Sequence, residues 1–408
     1  MSYQDAEPVS QAARMDGCAE GLRVALFSGN YNYIKDGAAI TLNRLVAFLE
    51  AHGAEVLVFS PTTTTPAFEP AGTLVSVPSV PVPRRSEYRI SLGLPRSARE
   101  RLAAFQPHLF HVSAPDYLNY SALRLAERWG IPSVASYHTR YDTYLEYYGI
   151  GGLAELGKLY LRRFYRRCQH IYVPTPQLID VLRTQGIRNE IRLWSRGVDC
   201  SRFNAAKRDL AWRRARSIAD DELVITFCGR LVLEKGLEVF AEVVELLQAR
   251  GQRFKALVIG DGPERERMQA RLPDAVFAGF LHGDDLARAY ASADIFVNPS
   301  VTETFGNVTL EAMASGLPAV CADATGAHSL VVPGQTGYLV EPKSPQAYAE
   351  RLEQLFGNDH LRREMSIKSI ARAQGFDWDI IMYSLVQHYR DAIQSAAMWQ
   401  HNNKVSGI

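Results

Sequence analysis

The sequence predicts an α/β protein made of two doubly wound domains that face each other across a cleft. Three observations support this prediction. Short apolar runs rich in β-branched residues alternate with longer helical patterns, which is typical of βαβ units around parallel sheets. The alternation stops at residues 194–204 and then begins again. The chain has 408 residues and is 47% apolar, which is enough to bury two cores.

In the first half, a strand at 22–28 leads into a helix at 37–51 that places Leu42 and Leu49 on one face. The segment 61–96 is rich in Pro, Ser and Thr and is predicted to be loop with one short strand. The predicted strands of this half are 22–28, 55–60, one near 73–77, 108–112, 133–137 and 170–173. The predicted strands of the second half are 223–228, 255–259, 275–278, 294–298 and 318–321.

These elements predict four segments along the chain. They are a mobile tail at 1–20, a first doubly wound domain at 21–197, a second doubly wound domain at 198–378, and a C-terminal segment at 379–408. The helical pattern at about 379–398 has no strand after it, so we expect it to pack back on the first domain.

Composition excludes several classes of protein. Lys+Arg 45 against Asp+Glu 44 leaves a net charge of +1, which argues against a dedicated nucleic-acid binder. The 5 cysteines are scattered without a Cys-x-x-Cys pair, so neither a disulfide framework nor a zinc site is expected. The N-terminal segment lacks the pattern of a signal peptide, and no apolar run approaches the ~20 residues that span a bilayer. We therefore expect a cytoplasmic protein, either soluble or peripheral on the inner membrane.

The longest polar motif follows an apolar strand and runs from Asn298 to Gly316. A loop carrying Glu303 leads into a helix that starts near Gly306, and Glu311 lies about five residues into that helix. Free amides and the positive end of the helix dipole make such a terminus an anion site, suited to phosphate. The two carboxylates then suit a ligand with a sugar at each end of a diphosphate. The alternative is that Glu303 is a neighbour of the helix N-cap favoured by the dipole and that Glu311 is a solvated helix residue.

A second motif, Gly229-Arg230-Leu-Val-Leu-Glu-Lys235-Gly236, directly follows the strand 223–228. Two cations at the carboxyl end of a strand can neutralise a departing diphosphate. The order of a P-loop, Gly-x-x-x-x-Gly-Lys-Ser/Thr, is missing. The alternative is an exposed pair of cations at a turn.

Two turns of the first domain also follow strands. One runs from Gly29 to Gly37, which opens the first helix and turns further amides towards the cleft. It lacks the Gly-x-Gly-x-x-Gly order, so a nicotinamide-dependent dehydrogenase is not favoured. The other holds His138 just after the strand 133–137, where an imidazole can hydrogen-bond a substrate hydroxyl or support proton transfer. The alternative for a lone histidine is a structural role.

Together these turns resemble the family-4 glycosyltransferases of the GT-B fold, over about residues 22–395. The most specific match is the family's Glu-x7-Glu motif, which runs here from Glu303 to Glu311 within PSVTETFGNVTLEAMASG. Two further turns match: Gly229-Arg230…Lys235-Gly236 and Tyr137-His138-Thr139. The resemblance implies two Rossmann-like domains, an acceptor-side domain at 21–197 and a nucleotide-sugar-binding domain at 198–378. It also implies a retaining transfer of a sugar from a nucleotide diphosphate, without a bound metal or other cofactor.

The resemblance also implies roles for individual residues. Arg230 and Lys235 would hold the diphosphate, and Glu303 would contact the hydroxyls of the donor sugar. Glu311 would bind the nucleotide ribose, and His138 would contact and position the transferred sugar. We take His138, Arg230, Lys235 and Glu303 as the catalytic set. The remaining donor contacts are Gly37 at the β-phosphate, Arg196 near the domain crossing, the main chain at Phe280 and Leu281 beside the base, and the amides of Phe305, Gly306, Asn307 and Val308.

Asp36 departs from the family's pattern, which has a Gly-Gly turn where this chain has Asp36-Gly37. A carboxylate beside the diphosphate would repel it. We therefore expect Asp36 to face the acceptor or to cap the helix.

The resemblance is nearest to mannosyl- and sulfoquinovosyl-type lipid transferases. It implies GDP-mannose as the first expected donor, a UDP-hexose as the second, and a hydroxyl of a lipid or glycan as the acceptor. In the family's favoured mechanism the leaving diphosphate takes the acceptor's proton while an oxocarbenium-like centre forms. Two alternatives stay open: a nucleotide-sugar epimerase of the same architecture, and a non-catalytic nucleotide-sugar binding protein.

A basic, aromatic segment lies in the half expected to bind the acceptor. Residues 158–167, KLYLRRFYRR, carry five cations and no acid, and 84–101 hold six Arg against two Glu. A basic helix with interleaved aromatics can lie on an anionic bilayer. The sequence therefore predicts a membrane contact through 158–167, with an ordinary solvated helix face as the alternative.

Overall fold

The structure, a computed structural model, describes residues 15–34, 36–82, 85–137, 154–324 and 326–405. It divides the chain into two compact units. Unit 1 comprises residues 1–195 and 379–408, and unit 2 comprises residues 196–378. None of the helices in the described ranges combines the length and apolar character that a membrane span needs.

The strands are numbered in chain order. They are β1 (Arg23–Phe27), β2 (Glu55–Ser60), β3 (Thr73–Ser76), β4 (Ser79–Val82), β5 (Arg85–Ser91), β6 (Leu109–Val112), β7 (Ser133–Ser136), β8 (His170–Val173), β9 (Glu190–Leu193), β10 (Val224–Cys228), β11 (Lys255–Ile259), β12 (Val276–Gly279), β13 (Ile295–Asn298), β14 (Ala319–Ala322) and β15 (Gly337–Val340).

The α-helices are numbered in the same way. They are α1 (Gly37–Ala51), α2 (Arg96–Phe105), α3 (Tyr117–Trp129), α4 (Ala154–Tyr165), α5 (Pro176–Thr184), α6 (Leu210–Arg214), α7 (Leu237–Ala249), α8 (Arg265–Arg271), α9 (Gly283–Ala291), α10 (Asn307–Ala314), α11 (Pro345–Phe356), α12 (Asp359–Gln374) and α13 (Trp378–Val405).

Each unit is built on one parallel sheet. In unit 1 the strand order is β3-β2-β1-β6-β7-β8-β9, and β4 pairs with β5 in a separate antiparallel hairpin. In unit 2 the order is β12-β11-β10-β13-β14-β15. The direction of progression reverses between β1 and β6 and between β10 and β13. This confirms the predicted fold class, and in such sheets ligands bind outside the carboxyl ends of the strands at that reversal.

The central strands are short and almost wholly apolar because helices cover both faces of a parallel sheet. The run Val224–Phe227 of β10 is buried along its length, and so are Ile295 to Val297 of β13. Neighbouring strands are held in register, for example with Val224 opposite Lys255 and Ile225 opposite Ile295. The polar residues that follow these strands are therefore delivered to one edge of the sheet.

The prediction for 61–96 was wrong in part, since β4 and β5 form a hairpin there. The sequence of the hairpin lacks the apolar run of a strand, because Pro81 interrupts β4 and charged residues interrupt β5. The edge strands β9 and β15 were also not predicted. Both are only partly buried, so they lack the continuous apolar run of a central strand.

The predicted mobile tail at 1–20 was wrong for its last six residues. Residues 15–20 are described, Ala19 is fully buried, and Cys18 is nearly so. The carbonyl of Cys18 accepts hydrogen bonds from the guanidinium of Arg390 at 2.8 and 3.1 Å. A short segment of this kind has no sequence pattern that would predict its contact with Arg390, far away along the chain.

The long helix α13 lies against the sheet of unit 1. The buried Tyr389 hydroxyl pairs with Nδ1 of His111, whose Nε2 lies 3.0 Å from the hydroxyl of Ser136. At the rim, Arg192 donates to Asp391 at 2.6 Å. The last helix of the chain is thereby part of the core of unit 1.

Candidate active site

The two strongest sequence motifs meet at the carboxyl edge of the sheet in unit 2. Lys235 ends a single 3-10 turn after β10, and Glu303 lies in the loop after β13. The Nζ atom of Lys235 donates to Oε1 of Glu303 at 2.6 Å, although the residues are 68 positions apart. Both side chains keep roughly a quarter of their surface exposed, 28% for Lys235 and 23% for Glu303. The pair is accessible to a ligand and only partly screened by water.

A close backbone contact fixes the distance between these two loops. Gly236 has a φ of +76°, and a Cβ atom there would lie 2.8 Å from the carbonyl oxygen of Pro299. The hydroxyl of Thr302 also donates to the carbonyl of Glu234 at 3.3 Å. A glycine at 236 therefore permits both the left-handed backbone and the approach of the loop that carries Glu303.

The helix α10 begins directly behind this pair. Gly306 precedes it with a φ of +101°, and Phe305 is buried against the ring of Phe376. Within the described part of the chain, the amides of Gly306, Asn307 and Val308 have no hydrogen-bond acceptor. These amides and the helix dipole make this end of α10 attractive to an anion.

Asn298 at the end of β13 holds the start of this loop in place. Its side-chain amide donates to the Thr309 hydroxyl at 3.0 Å, and its Oδ1 accepts from the amide of Ser300 at 3.2 Å. It thus ties the strand end to both the loop and the first turn of α10. The motif contains Asn298, but the sequence assigned it no role.

Glu311 lies one turn into α10 with its carboxyl group largely buried. Burial raises its pKa to about 7, and this rise is partly offset by the Tyr290 hydroxyl and by the positive charge of Arg202. The buried Tyr290 hydroxyl makes no hydrogen bond of ordinary geometry in the described chain, but it lies close enough to Cys228 and Glu311 to interact with both. Sequence reasoning missed Tyr290 and Arg202 because neither stands in a turn after a strand.

The other predicted donor residues of unit 2 lie at separate places. Arg230 is exposed directly after Gly229, at the end of β10. Leu281 is half-buried just after β12, beside Phe280, whose side chain is 65% exposed. Arg196 is buried, and the loss of solvent lowers its pKa to about 10. The structure brings Lys235 and Glu303 into contact but records no such contact for Arg230 or Leu281.

In unit 1, Gly37 is the exposed first residue of α1. Asp36 caps this helix, since its Oδ1 accepts from the amide of Ala39 at 2.8 Å. Its Oδ2 accepts from the side-chain amide of Asn30 at 2.7 Å. The carboxylate is thus occupied by the helix terminus and by the loop, which is one of the two expectations for this departure from the family pattern. His138 lies outside the described residues.

A second carboxylate of unit 1 lies at the carboxyl end of β6 and was not predicted. Asp116 caps α3, and its Oδ1 accepts from the backbone and side-chain amides of Asn119 at 2.8 and 2.7 Å. Burial raises the pKa of Asp116. Its Oδ2 lies 2.5 Å from the position that a Cβ on Gly29 would take, so the first βα turn passes directly over it.

The described residues contain no group of three or more His, Cys, Asp or Glu side chains that could hold a metal ion. The site in unit 2 presents an ammonium, free amides and two carboxylates. That set can hold an anion at the tip of α10 and hydroxyl groups beside it.

Comparison with known proteins agrees with this geometry. Residues 222–358 match the family profile described as "Glycosyl transferases group 1", and residues 35–202 match "Glycosyltransferase Family 4". The chain is 31% identical over 376 residues to a GDP-mannose-dependent alpha-mannosyltransferase of Corynebacterium glutamicum, covering 91% of this chain and 89% of that protein. It is 30% identical to a sulfoquinovosyl transferase of Arabidopsis thaliana, covering 92% of this chain and 74% of that protein.

A solved structure shows the same fold. The sucrose-phosphate synthase of Thermosynechococcus elongatus superposes with a TM-score of 0.77 at 22% identity, covering 92% of this chain and all of that one. These similarities give the epimerase alternative no support. The chain belongs to glycosyltransferase family 4 and has the GT-B fold of two Rossmann-like units.

Proposed function

We propose that the protein transfers a hexosyl group, with retention of anomeric configuration, from a nucleotide-diphosphate sugar to a hydroxyl of a lipid or glycan. The observation that carries this proposal is the Lys235–Glu303 pair at the tip of α10. An ammonium and free amides suit a diphosphate, and the adjacent carboxylate suits the hydroxyls of a sugar. Arg230, Arg196 and Gly37 are proposed to add further donor contacts.

We propose GDP-mannose as the donor. The similarity to a GDP-mannose-dependent enzyme over 91% of the chain supports this choice. A UDP-hexose is the second candidate, as the family resemblance of the sequence implies. We expect the main chain at Phe280 and Leu281 to contact the base of the nucleotide. A few loop atoms would then select which base is bound.

In the proposed reaction the bond from the anomeric carbon to the diphosphate oxygen breaks, and its electron pair goes to the diphosphate. The acceptor oxygen attacks the same face of the sugar, and its proton passes to the departing phosphate oxygen. Lys235 and the amides of α10 would stabilise the charge that develops there. Glu303 and His138 would hold the sugar, and no metal is needed in this scheme.

We further propose that the acceptor is reached at an anionic membrane surface through residues 158–167. The helix α4 exposes Leu159 and Tyr160 together with Arg162 and Arg163, while Phe164 and Tyr165 face the core. Arg166 is exposed directly after the helix ends. An exposed pairing of cations with apolar side chains favours an anionic bilayer. Sedimentation with anionic liposomes over a salt series tests this, and absence of binding at low salt would contradict it.

The donor is tested by incubating the purified protein with GDP-mannose, UDP-glucose and other nucleotide sugars. We expect GDP to raise the melting temperature more than UDP or ADP does, because a ligand that binds the folded state stabilises it. We also expect slow hydrolysis of GDP-mannose without acceptor, with release of α-mannose. Release of β-mannose would contradict retention, and inversion at C2 of the sugar would indicate an epimerase. Tight donor binding with no turnover would indicate a binding protein.

A further inference from the structure

Unit 1 contains a cavity of about 420 Å³ along the outer face of α3. Arg124 and Arg128 stand one turn apart on that face, and Ser121 stands three positions before Arg124. Arg99, from the first turn of α2, completes the wall opposite them. Three guanidinium groups therefore line one cavity, and none of the donor residues that the structure describes is part of its lining.

The positive charge of this cavity is not balanced by nearby carboxylates. Within the described ranges, Arg99, Arg124 and Arg128 form no ion pair, and Arg99 donates its Nε to the carbonyl of Leu94 at 3.1 Å. Two nearby acids pair with other arginines: Glu100 with Arg96 at 2.8 Å and Glu127 with Arg167 at 2.7 Å. The acids in this neighbourhood thus neutralise other cations and leave the cavity positive.

Tyr120 connects the cavity to α4. The guanidinium groups of Arg163 on α4 and Arg124 on α3 lower the pKa of its phenol. The ring of Tyr120 also lies 6.3 Å from that of Tyr160, whose hydroxyl donates to the carbonyl of Pro115 at 3.0 Å. The positive wall therefore continues from α3 onto α4.

One wall residue is an exposed apolar side chain: Leu92 lines the cavity and is 56% exposed. On α4, which carries Arg163 and Tyr160, Leu156 and Leu159 are 63% and 59% exposed. An exposed leucine beside arginines that lack a carboxylate partner suits a ligand that joins a phosphate to an apolar or polyol part. Guanidinium groups bind phosphate oxygens through parallel N–H donors, which an ammonium cannot do.

We infer that the cavity lined by Arg99, Arg124 and Arg128 is a binding site for a phosphate group, separate from the nucleotide site. The phosphate comes either from the headgroup of an anionic phospholipid or from a soluble phosphate ester. Both sources present the same oxygens to the three arginines. The site stands on unit 1 alone, so it holds whether or not the proposed donor is correct.

The test compares the double variant Arg124→Gln/Arg128→Gln with the wild-type protein. Two probes are used: glycerol 3-phosphate, followed by calorimetry, and phosphatidylcholine vesicles with and without phosphatidylglycerol, followed by sedimentation. We expect the variant to bind the effective probe roughly 30-fold more weakly, since each cation near a phosphate surface contributes about a fivefold factor. Binding of the wild type to glycerol 3-phosphate identifies a soluble source, and binding to phosphatidylglycerol vesicles alone identifies a lipid source.

The matched control is Arg183→Gln/Arg188→Gln, which removes the same charge from exposed positions of unit 1 outside the cavity. It should bind both probes like the wild type. Equal losses in the two double variants would show that net charge alone attracts the probes and would overturn the site. Full binding by the cavity variant, or no binding of either probe by the wild type, would overturn it as well. If the double variant is unstable, Arg99→Gln tests the opposite wall without changing α3.

Discussion

Lys235 and Glu303 are joined by a 2.6 Å hydrogen bond between Nζ and Oε1, across 68 residues of chain. The first follows β10 and the second follows β13, the two strands between which the order of the sheet reverses. The contact therefore lies where a doubly wound sheet binds ligands. A bound diphosphate would compete with Glu303 for the ammonium, so both residues are expected to respond to the donor.

Replacing either partner should reduce turnover severely without unfolding the protein. For Lys235→Ala and Glu303→Gln we expect kcat to fall about 10²–10³-fold, the usual cost of removing one group that stabilises the charge of a transition state. Both side chains are partly exposed, so the melting temperature should change little. Initial rates and thermal melts measure the two effects.

A second lysine provides the control for this prediction. Lys207 forms an ion pair of the same length, 2.6 Å, with Asp284 in unit 2. Lys207→Ala should therefore leave kcat unchanged. Wild-type turnover in Lys235→Ala would refute the assignment of that residue.

Gly236→Ala should separate the two loops of the site. Alanine would strain the left-handed backbone by roughly 1–2 kcal/mol and would also place its Cβ 2.8 Å from the Pro299 oxygen. We expect a lower melting temperature and weaker nucleotide binding, both measured by thermal shift. Gly251 is the matched control, because its φ of +74° imposes the same strain but a Cβ there meets nothing within 4 Å. Gly251→Ala should lose stability but keep nucleotide binding, and equal binding losses would contradict the role of the close approach.

Nucleotide binding should depend on pH through Glu311. Its pKa of about 7 in the folded protein means that this carboxyl group, which we expect to accept ribose hydroxyls when ionised, is mostly ionised at pH 8 and mostly protonated at pH 6. We expect about tenfold weaker binding at pH 6 than at pH 8. Calorimetric titrations across this range measure it. In Glu311→Gln binding should be weak at both pH values, and any pH dependence left in that variant belongs to the nucleotide's own phosphate.

The same group has a defined effect on stability. The carboxyl group of Glu311 keeps its proton up to about pH 7 in the folded protein but loses it near pH 4.5 in the unfolded chain. Its contribution to the free energy of unfolding therefore falls as the pH rises between those two values. Glu311→Gln should remove that fall. Denaturant titrations of both proteins at pH 5 and pH 7 measure the difference, and identical pH dependence would contradict the raised pKa.

Tyr290→Phe should move the titration of Glu311 to higher pH, since the Tyr290 hydroxyl lowers the pKa of that carboxyl. The midpoint of the pH dependence of nucleotide binding measures this shift. Tyr348 is also fully buried in unit 2, on α11, so Tyr348→Phe is the matched control and should leave the midpoint in place. A midpoint unchanged in Tyr290→Phe would show that this tyrosine only fills space.

Much of this protein could be predicted from its sequence because the determining interactions are local. Apolar runs such as Val224–Phe227 must become buried strands, and a polar loop followed by a helix, as from Asn298 to Gly316, must leave amides free at the helix start. Strand, turn and helix follow one another within a few residues, so residue order alone placed Lys235 and Glu303 at carboxyl ends of strands. The Glu-x7-Glu spacing then led to the family.

Only the tertiary structure decided which of these residues touch. The contact of Lys235 with Glu303 depends on β10 lying beside β13. The pKa of Glu311 depends on burial, which raises it, and on Tyr290 of a different helix, which partly offsets that rise. The cavity lined by Arg99, Arg124 and Arg128 joins two helices that no spacing rule relates. The distance between two segments, and how deeply each is buried, depend on the order of the strands in the sheet. That order is set by the packing energy of the whole unit, so no short stretch of sequence determines it.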